Sequence, residues 1–547
     1  MRILITLLVI LALTLPLLTA CTSDDDTPTL PPQTTATVSA EPTLEPTAMP
    51  TESPAITPEQ TAEPTASATL SFYRNPDYPE GYRNPISHLP VPQHPFMAPN
   101  GRSNTHNDAY MTDTYEVDGP FGINPEVTAW SSENGLATCT TFAFDTRDRI
   151  LTMSASLSEN NLLMLDPETL EVLATYPLPP RDPEDPLFPF GDTSGATYFL
   201  LDNQDRVLLT DYENFIQIIK YTDDEGEFQQ VKSYDLSTHI VPMEFPARDH
   251  LQMTLPDWEG NLLWFMTRYG IVGTLDPETG AVHTIELTGE ELQNSFAVGE
   301  DGVYMISDYA MYRFNADETG KPVIDWRFEY DRGTRIKPSN FNQGSGTSPQ
   351  LFGDMVAISD NAEPRMNIIF LRRSDGSEVC RIPVFEEDRS TTENALPGLA
   401  RDGANGTEYS IIVDNNYGLV REDILNPGGC WKDHVGSLAR IDLIPDGSGG
   451  YTCEEIWESP EKSSQILPKL SLTNGLLYVY TYEFLSNGYY GWYLTTMDFE
   501  TGETIFSIPT GIGLGFANFG PPQFIGPDGS VYFGSMQGFV RVRDGVK

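Results

Sequence analysis

Gly260-Asn261-Leu262-Leu263-Trp264-Phe265-Met266-Thr267-Arg268-Tyr269-Gly270-Ile271-Val272-Gly273-Thr274-Leu275-Asp276-Pro277-Glu278-Thr279-Gly280 contains the unit from which this chain is built. A Gly/Asn/Asp turn leads into an apolar run, a second turn into a second run, and an Asp-x-Glu-Thr-Gly turn closes the pattern. The closing turn returns as Asp498-Phe499-Glu500-Thr501-Gly502, as Asp317-Glu318-Thr319-Gly320 and, without its glycine, as Asp166-Pro167-Glu168-Thr169. An all-strand unit recurring every ~40–70 residues predicts a β-propeller, in which each blade is one four-stranded meander.

The opening turn gives the blade count. It occurs at Asp148-Arg149-Ile150, Asp205-Arg206-Val207, Gly260-Asn261-Leu262, Asp301-Gly302-Val303, Asp354-Met355-Val356, Asn405-Gly406-Thr407, Asn474-Gly475-Leu476 and Asp528-Gly529-Ser530, which makes about eight units. The runs that follow, such as 261–266, 303–307 and 476–480, are continuous β-formers without alternation, as strands sandwiched between neighbouring blades require. The last unit is one strand short before the chain stops at Lys547. Residues of about 110–130 are the candidates to complete it and so remove an open edge.

The N-terminal region has a different chemistry. Met1-Arg2, an apolar stretch from Ile3 to Leu18, and Leu18-Thr19-Ala20-Cys21 look like a bacterial lipoprotein signal peptide, with Cys21 the residue to be acylated. Residues 22–70 are dominated by Thr, Pro, Ser, Ala and acidic residues and hold no aromatic, so they form a tether rather than a core. The expected organisation is a signal peptide over 1–20, a disordered tether over 21–70, a strap and closing strand over 71–135, and the propeller over 136–547. The expected location is the extracytoplasmic face of a bacterial cell membrane, held by palmitate-type lipid. With 79 acidic against 32 basic residues and a net charge of −47, the chain has no basic face for nucleic acid.

Turns of the Asp-x-Glu-Thr-Gly form resemble those of the pyrroloquinoline-quinone-repeat propellers, over roughly residues 136–545. The best instance is Asn315-Ala316-Asp317-Glu318-Thr319-Gly320-Lys321 with Trp326 downstream, similar to that superfamily's tryptophan-docking turn but with one extra residue before the tryptophan. The resemblance implies a propeller that works either as a binding or scaffold protein or as a quinoprotein-like oxidoreductase. The vicinal cysteine pair of the quinoprotein dehydrogenases is missing, which argues against pyrroloquinoline quinone as a cofactor.

Three polar stretches are candidate sites. The first is 339–349 with 359–367, where Asn340, Gln343, Asp360, Asn361 and Arg365 could meet a polar ligand, and Asp360, Asn361, Glu363 and Asn367 offer the hard oxygens calcium prefers. Asp360 with Arg365 would suit an anion or a polar small molecule. The second is Asn104-Thr105-His106-Asn107-Asp108, where His106 stands in the only polar cluster around a histidine and could serve at a channel mouth, or within a strap that caps the propeller. The third is Cys430-Trp431-Lys432-Asp433-His434 in a long insertion, with a disulfide expected between Cys430 and Cys453 and buried free thiols at Cys139 and Cys380. The favoured function is a lipid-anchored propeller that binds a protein or small molecule. The alternative is an extracytoplasmic enzyme, a quinoprotein-like oxidoreductase or a calcium-dependent lyase or hydrolase.

Overall fold

In the computed structural model, 70–546 are described apart from 133–134, 186–187, 189–190, 241–247, 421–430, 432, 487 and 519. Eight antiparallel four-stranded blades follow one another around an axis. Blade 1 comprises Ala137–Phe144, Ile150–Ser156, Asn160–Leu165 and Val172–Leu178, and each later blade repeats that order from the axis outward. The eight opening turns all fall between the first and second strands of a blade, and the four closing turns all fall between the third and outermost strands.

Burial explains the sequence pattern. Second strands such as Met355–Ser359 and Val531–Ser535 are buried at every residue because both faces meet a neighbouring blade. Outermost strands such as Val172–Leu178 alternate, since one edge and part of one face lie in water. The core is therefore a ring of blade-to-blade seams. Trp264 meets Phe314 between blades 3 and 4 with ring centroids 6.3 Å apart, and Tyr480 meets Phe533 between blades 7 and 8 at 4.4 Å. Phe142 meets Phe524 across the closing seam at 5.3 Å.

The docking tryptophan behaves as the resemblance implies. Trp326 Nε1 donates to the Arg373 carbonyl of the next blade at 2.9 Å, and Trp457 does the same to Phe499 at 3.0 Å. Each ring lies over a turn glycine: a Cβ on Gly376 would fall 2.6 Å from Trp326, and one on Gly502 would fall 2.5 Å from Trp457. The extra residue before Trp326 is taken up by a β-bulge, because the register slips between Arg313 and Phe314.

The chain closes as expected. Pro125–Ser131 pairs antiparallel with Gly538–Asp544, from Pro125 opposite Asp544 to Ser131 opposite Gly538, and supplies the missing outer strand of blade 8. Two further N-terminal pieces join blade 7, Tyr73–Arg74 at its outer edge and Thr114–Tyr115 parallel to its innermost strand, Lys469–Ser471. Among the described residues no helix is long and apolar enough to cross a membrane. Cys21 and the tether lie outside the described residues.

The disulfide differs from expectation. Cys453 is bonded to Cys380, with Cα atoms 6.0 Å apart, joining the outer strands of blades 5 and 6. The reading that paired Cys453 with Cys430 weighed proximity along the chain, whereas propeller topology sets the outer strands of successive blades side by side. Cys430 falls outside the described residues; Cys139 is a buried free thiol, as expected, whereas Cys380, read as a second one, is half-buried and disulfide-bonded.

Candidate functional site

In a four-stranded meander the first and third turns lie at one end of a blade, and the middle turn and the linker to the next blade lie at the other. The long connections here all belong to the second set: 179–198, 236–250, 330–349 and 384–397 are linkers, and 415–437 is the middle turn of blade 6. One end of the propeller is thus built of tight turns and the other of long polar loops. Stretches 339–349 and 360–366, one a linker and one a middle turn, share that end, and they meet where Asn361 Nδ2 donates to the Gln343 carbonyl at 3.1 Å.

The axis is filled by N-terminal chain. Residues 103–115 are buried without a break. The innermost strands would otherwise present open edges to the axis, and the strap satisfies them. The N–H groups of Phe144, Leu201, Val298, Leu351, Gly398 and Leu470, one from each of six blades, donate to the carbonyls of Arg102, Ser103, Ala109, Tyr110, Thr112 and Asp113 at 2.7–3.2 Å. The strap runs along the inside of the ring rather than capping one end.

A cavity of about 600 Å³ opens on the long-loop end above this plug. Its walls come from most of the linkers between blades and from the middle turns of blades 1 and 8 and are mainly apolar, with Tyr198, Phe341, Leu467, Leu514 and Met536 among them. Leu136 and Leu157 also line it and are 40% and 55% exposed, so the apolar surface continues into the solvent. The linkers are packed tightly around it: a Cβ on Gly346 would fall 2.0 Å from the Thr392 carbonyl, which leaves room for glycine only.

Polar groups gather at the cavity's inner end. His106, 4% exposed, lines it, with Nδ1 2.9 Å from Asp113 Oδ2 and Nε2 3.3 Å from Ser348 Oγ. Asp113 also accepts from Gln350 Nε2 at 3.0 Å and pairs with the buried ammonium of Lys469. Burial acts to raise the Asp113 carboxyl, but its neighbours His106 and Lys469 and the hydrogen bonds they make outweigh it and hold the group below the usual carboxylate range. Asp108, on the same strap, is pushed up to about 7 by burial. Gln465 lines the cavity at 1% exposure, and neither its amide nitrogen nor its carbonyl oxygen has a partner among the described residues.

Of the six ligand-binding candidates, the structure puts only His106 in this cavity. Asn340 accepts from Thr391 Oγ1 at 2.5 Å, and Gln343 Nε2 donates to the Gly333 carbonyl at 2.8 Å. Asp360 is 3% exposed and holds Asn367 Nδ2 at 2.7 Å and Arg381 at 2.9 Å. Arg365, instead of meeting Asp360, points outward with its nearest carboxylate, Glu387, at 4.0 Å. Asn361 Oδ1 accepts from Thr391 at 3.3 Å. Asn340, Gln343, Asp360 and Asn361 brace the loops outside the cavity lining. Glu363 is engaged by Thr334 and Arg335, so the oxygens read as calcium ligands are spread over several internal bonds. Among the described residues no group of three or more His, Cys, Asp or Glu is placed to hold a metal ion.

Trp431 and His434 lie against blade 7. Trp431 is buried against Tyr482 and Tyr490, with centroids 4.9 and 5.1 Å away, and His434 bonds the Tyr482 hydroxyl. Burial pulls His434 down to about 3. Ser348, Asp113 and Gln465 were missed by sequence reasoning. Ser348 sits inside the polar stretch already singled out, but Asp113 and Gln465 belong to no local pattern.

No family model matches the chain. An uncharacterized protein of Archaeoglobus fulgidus is 25% identical over 312 residues, covering 51% of this chain and 58% of that protein, so the chain spans a little over half the relative's length. Among solved structures, a streptogramin B lyase is 12% identical over 77% of this chain and 98% of its own, with a TM-score of 0.35. BamB from Moraxella catarrhalis is 13% identical over 62% of this chain and 93% of its own, with a TM-score of 0.34.

Proposed function

We propose that this chain is a lipid-anchored, extracytoplasmic propeller that binds a small, largely apolar molecule with a polar end in the cavity on its long-loop face. The observation that carries the reading is the cavity itself, where linkers from most of the ring converge on about 600 Å³ of mainly apolar wall above a polar inner end. Such a concavity, with few and convergent polar groups, is the usual form of a small-molecule site. The anchor follows from the lipobox at Cys21, and the tether would hold the cavity clear of the membrane.

Gln465 supplies the test. A buried amide without a partner costs stability, and it is kept where it serves a ligand. Gln465→Leu is expected to leave the fold at least as stable while weakening retention of a small molecule that co-purifies with the full-length protein, read by native mass spectrometry. A variant that loses stability and keeps the bound molecule would overturn the assignment.

A further inference from the structure

Ser348, His106 and Asp113 come from a linker and from two points of the axial strap, and they form one directed chain of hydrogen bonds. Ser295 Oγ lies 2.6 Å from Ser348 Oγ, Ser348 Oγ 3.3 Å from His106 Nε2, and His106 Nδ1 2.9 Å from Asp113 Oδ2. The donor inventory fixes the direction. Asp113 is held ionised, so it can only accept, and His106 must carry its proton on Nδ1. In the neutral ring Nε2 is then a free lone pair facing the Ser348 hydroxyl, which donates to it and accepts from Ser295. Gln350 and Lys469 fix the carboxylate, and the carboxylate fixes the ring.

This is the order of nucleophile, general base and orienting acid that activates a serine. Ser348 and His106 both line the cavity, as does Gln465, whose amide finds no partner among the described residues. A plug needed only to fill the axis would not need a base aimed at a hydroxyl in the wall of a cavity.

We propose that the cavity is the active site of a serine hydrolase acting on carboxylic esters with an apolar acyl group. The inference rests on the reading of this cavity as the ligand site. Ser348 Oγ attacks the ester carbonyl carbon as its proton passes to His106 Nε2. The carbon–oxygen bond to the alcohol breaks, and His106 returns the proton to the departing alcohol. Water, deprotonated by His106, attacks the acyl-serine, and its proton goes back to Ser348 as the acid leaves. Ser348 and His106 are the catalytic residues; Asp113 is a positioning residue.

The full-length protein is incubated with a fluorophosphonate probe, and the adduct is mapped by tandem mass spectrometry. The expected adduct is on Ser348, is abolished in Ser348→Ala, and forms about 10²–10⁴-fold more slowly in His106→Gln and Asp113→Asn. Binding of the neutral dye Nile red is measured in parallel and is expected to be unchanged in Ser348→Ala and Asp113→Asn, which separates loss of chemistry from loss of fold. An unmodified Ser348 in protein that binds the dye would refute hydrolysis and leave the ligand site standing. Labelling at an equal rate in His106→Gln would refute the relay.

Discussion

Replacing Cys380 and Cys453 together by serine removes the one disulfide between two blades among the described residues. The bond joins positions 73 residues apart. In the chain-entropy treatment a loop of that length restricts the unfolded chain by about 15 cal/mol/K, or roughly 4 kcal/mol at 25 °C. With an unfolding entropy of about 2.1 cal/mol/K per residue, a folded body of roughly 470 residues changes by about 1 kcal/mol per kelvin, so Tm is expected to fall by roughly 4 °C. Both cysteines are only half-buried, so the serines add little desolvation cost. Urea unfolding of wild type and double variant, with non-reducing peptide mapping of the wild type, makes the measurement. A midpoint shift worth less than about 1 kcal/mol, or Cys453 recovered with Cys430, would refute the reasoning.

Three other outcomes follow from the same structure. Deleting residues 22–69 is expected to leave a soluble protein, whereas deleting 22–131 strips both the axial strap and the closing strand and is expected to give aggregates; equal yields of soluble protein would contradict closure. Asp108 binds its proton more tightly in the folded chain, so its contribution to stability is full below pH about 4 and is lost as pH rises through about 7. Asp108→Asn should therefore lose less stability than wild type between pH 5 and pH 8 in urea titrations, and identical slopes would count against a strained carboxyl there. Cys21→Ser should shift the protein out of the membrane fraction, and unchanged fractionation and gel mobility would show that the thiol is not the anchor.

The architecture was legible because propeller blades repeat local chemistry. Turns such as Asp528-Gly529-Ser530 and Asp276-Pro277-Glu278-Thr279-Gly280 are written in consecutive residues, and the missing strand of the last blade announced a partner near the N-terminus. The site was less legible because it is made by closure. His106 and Asp113 on the strap lie far in sequence from Ser348 and Gln465, and the two sets come together only once the strap is drawn through the axis. The polar stretches that attracted attention, around Asn340 and Asp360, owe their composition to backbone and loop bracing. The disulfide was misread for a related reason: Cys380 and Cys453 stand side by side only because successive blades do.

Titration of the folded protein with Nile red tests the central claim, that the long-loop end carries a ligand cavity above the strap, most directly. Ala155 lines that cavity and is half-buried, so Ala155→Trp would fill space there while leaving the blade seams intact. One saturable, blue-shifted binding site per chain is expected in wild type, lost in Ala155→Trp at unchanged Tm. Absence of saturable binding in wild type, or equal binding by the two proteins, would contradict it.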